Sequence, residues 1–120
     1  MTGDEREVGL VLVALADPRR RELLAALVDR GSASATTLAG LLPVSRQAVL
    51  KHLEVLEKAG LVVSGRQGRE VLYRVRREPL DASRKWLEDL GALWDRRLSA
   101  IKLAAEAVEE TDSGGEGSAK

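Results

Sequence analysis

Hydrophobic residues recur at helical spacing along most of the chain, and the spacing changes to alternation only between residues 61 and 77. The predicted helices cover residues 4–16, 18–30, about 35–42, 45–59 and, from a start between residues 79 and 82, the stretch to 109. Asp17, Ser34 and Ser45 are the predicted N-caps, and Gly31 and Gly60 end the second and fourth helices. The "VGLVLVALA" run in the first helix also suits a strand, but the Asp17-Pro18 pair that follows favours a helix boundary there.

The segments "LVVSG" and "REVLYRVR" alternate apolar and polar residues and flank "GRQG". They predict a two-stranded hairpin with Arg66-Gln67-Gly68-Arg69 at its tip. Three helices, of which the last two are joined by a tight turn, followed by such a hairpin, are typical of a winged helix-turn-helix. The predicted fold is therefore mainly α with a small β-hairpin, with about five helices plus a two-stranded wing.

A chain of 120 residues with 44% hydrophobic content can bury one modest core. We expect residues 1–110 to form one DNA-binding and dimerisation domain and the Gly-rich stretch 111–120 to be a disordered polar tail. There is no apolar run of bilayer length, and the first residues lack the basic-then-apolar order of a secretion signal. The expected location is the cytoplasm, on the nucleoid when DNA-bound, and the excess of Arg over Lys, 14 to 5, suits a bacterial protein.

The net charge is zero, but the charges are unevenly distributed along the chain. Residues 1–41 carry a net charge of −1, residues 42–78 carry +4, and residues 79–120 carry −3. A basic middle between two acidic flanks predicts one localised surface that faces an anion.

The start of the fourth helix supplies side chains suited to reading base edges. Arg46 can form two bonds to guanine and Gln47 can form two to adenine, while Ser45 caps the helix next to its positive dipole end. The wing arginines suit phosphate or minor-groove contact. The residues predicted to contact DNA, through the helix 45–59 and the wing 61–76, are Ser45, Arg46, Gln47, Leu50, Lys51, His52, Arg66 and Arg69.

Three assignments stay open at this stage. Leu50 either touches a thymine methyl group or flanks the core stripe, and His52 either packs and orients a phosphate or reads a base. The Arg19-Arg20-Arg21 run is either a solvated helix start or a phosphate contact.

Surplus apolar surface on the first and last helices predicts a homodimer. The first helix is apolar around its whole girth, and the stripe on the last helix is longer than the preceding core can cover. The predicted dimer residues are Val8, Val11, Leu12, Leu15, Leu87, Leu90, Trp94, Leu98, Ile101 and Ala105.

Four segments together carry a resemblance to a known family: "LADPRRRELLAAL", "LAGLLPVSRQAVLKHLEVLEKAGLV", "GREVLYRV" and "WLEDLGALWDRRLSAIK". The chain resembles the ArsR family of bacterial winged-helix repressors over roughly residues 8–108. This resemblance implies a homodimer joined through the first and last helices that binds a palindromic operator and represses transcription, in some cases of its own gene. The paired tryptophans of the last helix resemble the branch that does not sense metals.

The sequence lacks the residues and motifs that metal sites, cofactor sites and active sites usually contain. There is no cysteine, where metal-sensing relatives carry a Cys-x-Cys site, and His52 is the sole histidine. No nucleophile setting or phosphate-binding glycine loop is present, so we expect neither an enzyme nor a bound cofactor. Two alternatives to a simple repressor stay open: a winged helix used for protein–protein contact, and a repressor gated by an organic ligand at the dimer interface.

Overall fold

The computed structural model describes the backbone of residues 2–116 and the side chains of residues 5–109. This part of the chain has five helices and one antiparallel hairpin, which confirms the predicted winged helix-turn-helix. The elements are α1 (Thr2–Leu15), α2 (Pro18–Arg30), α3 (Ala35–Leu41), α4 (Arg46–Lys58), β1 (Val62–Gln67), β2 (Glu70–Val75) and α5 (Glu78–Glu116). The chain divides into two compact units between Trp86 and Leu87, so the last helix has its first turns in one unit and the remainder in the other.

The helix starts follow from local capping. Asp17, Ser34 and Ser45 are the N-caps of α2, α3 and α4, and each side chain accepts a hydrogen bond from a backbone amide of the first turn. Pro18 occupies the first position of α2, where its missing N–H costs nothing. Gly31 follows α2 with φ +86°, a conformation that a residue with a Cβ rarely adopts. These local signals are the reason that the predicted boundaries were close to the observed ones.

The core of the first unit lies between α1, α2, α3, α4 and the hairpin. Apolar residues at helical spacing from each helix meet there, and Leu61 and Val62 bring the start of the hairpin into the same cluster. The largest side chains with no or almost no exposed surface are Leu23, Leu27, Leu38, Leu53, Leu56, Leu61, Val11, Val49 and Val62.

The hairpin turn is shorter than the predicted four-residue tip. Gln67 pairs with Glu70, so the loop contains only Gly68 and Arg69, and Arg66 and Gln67 belong to β1. Gly68, the first loop residue, has φ +66°, whereas Arg69 does not have a positive φ. A positive φ at the first loop residue alone is the pattern of a type II′ turn. This turn matches the twist of the two strands and fixes their register.

A second pairing anchors the hairpin to the helices. Ala33, between α2 and α3, forms an antiparallel bridge with Tyr73, with hydrogen bonds of 3.1 and 2.8 Å between the two backbones. The bridge places a third extended segment beside β2, and the alternating pattern did not predict it because a single bridge residue has no period.

Helix α1 divides its apolar residues between two sides. Val8, Val11 and Ala14 are buried in the single chain, and Leu15 packs against the core cluster. Val8 and Val11 were predicted to belong to a dimer surface, but at 2% and 0% exposure they have almost no area left for a partner. The exposed apolar residues of α1 are Leu10, Leu12 and Val13.

Helix α5 continues past its predicted end at Glu109. Its backbone is helical to Glu116, six residues into the segment for which disorder was predicted. Extending an existing helix adds a hydrogen bond per residue without a new nucleation cost, which the composition of the segment does not reveal. The rest of the predicted tail, residues 117–120, lies outside the described residues.

We predict that Leu27→Ala destabilises the protein far more than Val28→Ala on the same helix. Leu27 is fully buried, and removing its side-chain atoms leaves a cavity that costs about 2–5 kcal/mol. Val28 is 66% exposed, and its truncation should change the unfolding free energy by no more than about 0.5 kcal/mol. Urea unfolding followed by circular dichroism measures both, and equal losses would contradict this core.

We predict that Asp17→Asn reduces the loss of stability in acid. The backbone amide of Arg19 donates to the Asp17 carboxylate at 2.8 Å and, with a smaller contribution from the charge of Arg20, holds the pKa of Asp17 below its ordinary value of 3.8. A lowered folded-state pKa stabilises the fold above the unfolded value and loses that contribution as the pH falls. Asn caps about as well without titrating. Urea midpoints should therefore fall less steeply in the variant between about pH 4 and about pH 2, and parallel curves would contradict the assignment.

Candidate nucleic-acid interface

The rotation of helix α4 about its axis is fixed by its buried stripe. Val49, Leu53 and Leu56 are each 0% exposed, so the opposite side of the helix must face solvent. Gln47 and Lys51 lie one turn apart on that opposite side, and both are exposed. The structure thus places these two predicted DNA-contacting residues together on one open surface.

Ser45 is the N-cap of α4 and leaves part of its first turn accessible. The Ser45 hydroxyl accepts from the backbone amide of Ala48 at 3.1 Å, and the residue itself is exposed. The remaining free amides and the positive end of the helix dipole make this position favourable for an anion.

Arg46 is anchored by a residue that sequence reasoning missed. Its Nε donates to Oγ1 of Thr36 at 3.1 Å, which joins the start of α4 to the first turn of α3. Both terminal nitrogens of the guanidinium stay outside this bond, and a fork-shaped pair of donors is what bidentate reading of guanine requires. The polar "ATT" start of α3 was the available signal, but only the fold shows which helix it faces.

Leu50 and His52 lie on the two flanks of α4 rather than on its outer side. Leu50 is half-buried and packs against the core cluster, in agreement with the interpretation that it flanks the core stripe. His52 is half-buried, and its Nδ1 lies 3.5 Å from Nη1 of Arg20 on α2.

The charges of α4 are divided along its length. Basic and amide groups occupy the N-terminal half, whereas Glu54 and Glu57 lie in the C-terminal half. Glu54 pairs with Lys58 at 3.4 Å, and Glu57 accepts a hydrogen bond from the Ser64 hydroxyl of β1 at 3.2 Å. The glutamates of the C-terminal half are thus engaged by side chains of the same chain. The half that begins at Ser45 is the one suited to a polyanion.

The wing adds exposed arginines next to this helix. Arg66 lies on the same face of β1 as Val62 and Ser64, the face that packs toward α4, and Arg69 lies in the turn. Within the described part of the chain, the side chains of Gln47, Lys51, Arg66 and Arg69 form no hydrogen bond or ion pair. They are therefore available to an external partner.

A concavity of about 290 Å³ lies between the wing and the segment after α2. Its lining residues are Ser32, Gly65, Arg66, Gln67, Leu72 and Arg74. Beneath this part of the wing, burial raises the pKa of the Tyr73 hydroxyl, and the negative charge of Glu57 acts in the same direction. Tyr73 thus stays a neutral packing residue that supports the strand carrying Arg74.

The arginine run at the start of α2 is not a uniformly solvated surface. Arg19 pairs with Glu22 at 2.8 Å, but Arg20 and Arg21 reach back to the carbonyl oxygens that end α1. Arg20 Nε donates to Ala14 at 2.6 Å, and Arg21 Nη1 donates to Leu15 at 2.6 Å. Sequence reasoning missed this role, since it depends on how the two helices meet.

The described residues lack both a cluster of metal-ligand side chains and a membrane-spanning helix. They contain no group of three or more His, Cys, Asp or Glu side chains placed to hold a metal ion. No helix among them is long and apolar enough to cross a membrane.

In the second unit, helix α5 exposes apolar side chains along most of its length. The predicted dimer residues of this helix all lie on the surface, and they share one stripe at three- and four-residue steps. The exposed fractions are 48% for Leu87, 47% for Leu90, 61% for Trp94, 45% for Leu98 and 62% for Ile101, with Ala105 also exposed. A surface of this kind on a single chain is typical of an interaction site.

Comparison with known proteins gives consistent results. Residues 15–64 match the family model of a helix-turn-helix domain. The uncharacterized HTH-type transcriptional regulator YuzN of Bacillus subtilis is 38% identical over 85 residues, which cover 65% of this chain and 92% of YuzN.

Solved structures extend the similarity to the fold. An ArsR-like transcriptional regulator from Rhodococcus sp. RHA1 is 48% identical, with a TM-score of 0.77 over 86% of this chain and 96% of that one. A homodimeric winged helix-turn-helix DNA-binding domain from Mycobacterium bovis, a possible ArsR-family regulator, is 27% identical, with a TM-score of 0.58 over 78% of this chain and 82% of that one.

Proposed function

The chain belongs to the ArsR family of helix-turn-helix transcriptional regulators, and we propose that it acts as a homodimeric repressor that binds a palindromic operator. The family membership makes it a DNA-binding transcriptional regulator and not an enzyme. The repression, the dimer, the palindrome and the individual contact residues are the proposed parts. We place this activity in the bacterial cytoplasm, on the nucleoid.

One observation carries the proposal. The N-terminal half of α4 presents exposed Gln47 and Lys51, the anchored Arg46 and an open helix start, with the unpaired wing arginines following on β1 and the turn. In such an arrangement the helix enters the major groove, where side chains of these types bond to base edges, and the wing contacts the backbone. We therefore assign base reading to Arg46 and Gln47 and phosphate contact to Ser45, Lys51, Arg66 and Arg69.

The dimer supports this role. Exposed apolar side chains on α1 and α5 have no cover within the described chain, and isologous pairing of two chains would bury them. Two α4 helices related by a two-fold axis can enter successive major grooves about 34 Å apart. The homodimeric relative from Mycobacterium bovis supports the same assembly here. On the evidence of burial, the α1 contribution comes from Leu10, Leu12 and Val13 and not from Val8 or Val11.

We predict that Arg46→Ala and Gln47→Ala each relax the preference for one operator base pair, by roughly 1–3 kcal/mol. Arg69→Ala should instead weaken binding evenly across sequences and lower the salt slope by about one unit, since it removes a phosphate contact. The operator is first selected from random duplexes with the purified protein. Fluorescence anisotropy against operator and scrambled duplexes at several salt concentrations then measures both effects.

Lys58→Ala is the matched control for these variants. Lys58 lies on the same helix but pairs with Glu54 in the acidic half, so its loss should change neither base preference nor salt slope. Failure of the wild type to select any duplex would favour the alternative of a protein–protein module. Release of operator by small organic compounds would favour a ligand-gated repressor.

We predict that Ile101→Glu abolishes the dimer and specific operator binding together. A charge in the middle of the α5 stripe would be buried without a partner on pairing, which is strongly unfavourable. Leu103→Glu is the matched control, because Leu103 is 65% exposed and Ile101 62%, but Leu103 lies off the stripe. Sedimentation and anisotropy on the same samples measure mass and affinity, with circular dichroism to check helix content. Equal behaviour of the two variants, or a wild-type monomer that binds one half-site tightly, would contradict this dimer.

A further inference from the structure

Arg20 occupies the junction of three helices in the first unit. Its side chain is only 15% exposed, although it lies in the first turn of α2. Nε donates to the carbonyl of Ala14 at 2.6 Å and Nη2 donates to that of Val13 at 3.2 Å, so the guanidinium satisfies the free carbonyl end of α1. Nη1 lies 3.6 Å from a carboxylate oxygen of Asp17. These contacts fix the guanidinium in one orientation.

The same Nη1 lies 3.5 Å from Nδ1 of His52, thirty-two residues further along the chain on α4. A guanidinium has only donors, so a hydrogen bond between these two atoms requires an Nδ1 that accepts. In the tautomer that allows this hydrogen bond, the ring carries its proton on Nε2. The contact to Arg20 therefore favours one tautomer of the imidazole and one orientation of its ring.

The remaining ring nitrogen is open to the outside. None of the described residues forms a hydrogen bond with Nε2 of His52, and no buried side-chain nitrogen or oxygen among them lacks a partner. Nε2 is therefore reached by solvent. His52 directly follows Lys51, to which we assign a phosphate contact, on the helix proposed to enter the groove.

We propose that Arg20 is a positioning residue for DNA binding, which holds the imidazole of His52 so that its Nε2–H donates to a phosphate of the operator. This inference rests on the proposed function, since it assigns one more contact to the same helix. The neutral donor adds a hydrogen bond of fixed direction without adding charge, which separates its role from that of Lys51.

The arrangement also joins the two proposed surfaces. Arg20 is held by the carbonyls of Val13 and Ala14, and Val13 is one of the exposed apolar residues of α1 assigned to the dimer. A shift of the end of α1 would move the guanidinium and, through it, the ring of His52. In the proposed dimer, any restraint on the end of α1 would therefore also act on the ring of His52.

The tautomer can be tested without DNA. His52 is the sole histidine of the sequence, so the ring nitrogens in a long-range ¹H–¹⁵N spectrum need no assignment strategy. At about pH 8 we expect an unprotonated Nδ1 and a protonated Nε2 in the wild type. We expect a shift toward the mixture of a free imidazole in Arg20→Lys, which keeps the charge but loses the fork of donors. Arg21→Lys is the control, because Arg21 binds only the carbonyl of Leu15. A ring protonated on Nδ1, or an unchanged spectrum in Arg20→Lys, would overturn the proposal.

The phosphate contact is tested by affinity and salt dependence together. His52→Gln can place an amide donor near the Nε2 position, whereas His52→Asn is too short to do so. We expect His52→Asn to weaken operator binding about tenfold with an unchanged salt slope, and His52→Gln to recover most of the loss. Lys51→Ala should lower the slope by about one unit. Combining Arg20→Lys with His52→Asn should cost no more than His52→Asn alone, because both remove the same contact.

Each outcome separates this inference from the function on which it rests. Wild-type affinity in His52→Asn, with operator binding and the Lys51→Ala effect intact, would overturn the role of His52 while the DNA-binding surface stands. A lowered salt slope in His52→Asn would also overturn it, since a neutral donor releases no counterion. Absence of specific DNA binding in the wild type would remove the proposed function itself, and the positioning role with it.

Discussion

Burial of the α4 stripe is the constraint on which the rest of the structure depends. Val49, Leu53 and Leu56 are completely enclosed, and no rotation of the helix other than the observed one would enclose all three. Gln47 and Lys51 are exposed as a consequence, on the side that α2, α3 and the wing leave open. Leu61 and Val62 enter the same core, so the wing begins at a fixed point beside α4. Packing within the chain thus determines the position of the side chains proposed to contact DNA.

Hydrogen bonds of polar side chains near the helix ends then orient individual long side chains. Thr36 holds Arg46, Ser64 holds Glu57, and Arg20 joins the carbonyl end of α1 to His52. These bonds are exposed or only partly buried and modest in energy, but each restricts a long side chain to few rotamers. The entropy of ordering those side chains is then lost on folding rather than on binding, which favours association with a rigid partner such as a duplex. The polar contacts therefore matter more for orientation than for stability.

The surplus apolar surface gives a second, independent indication of assembly. On α1 the buried and exposed apolar residues alternate around one helix, so that a single side contributes to the core of its own unit. On α5 the stripe lies on the surface in the second unit. In the proposed two-fold pair these apolar residues would leave water, and the number of helices proposed to contact DNA would double. Stability and function thus favour the same assembly.

The sequence by itself determined the elements, the fold class and the candidate helix. Caps such as Asp17 and Ser45 bond to amides two or three residues away, and the change from helical to alternating spacing is visible in the chain itself. Only the tertiary structure decided which apolar side of α1 is buried, that Ala33 pairs with Tyr73, and that Arg20 meets His52. The partners in these contacts are distant in sequence, and a local pattern states that a side chain is apolar or charged but not which element it will face. That choice is made by the packing of all the helices at once.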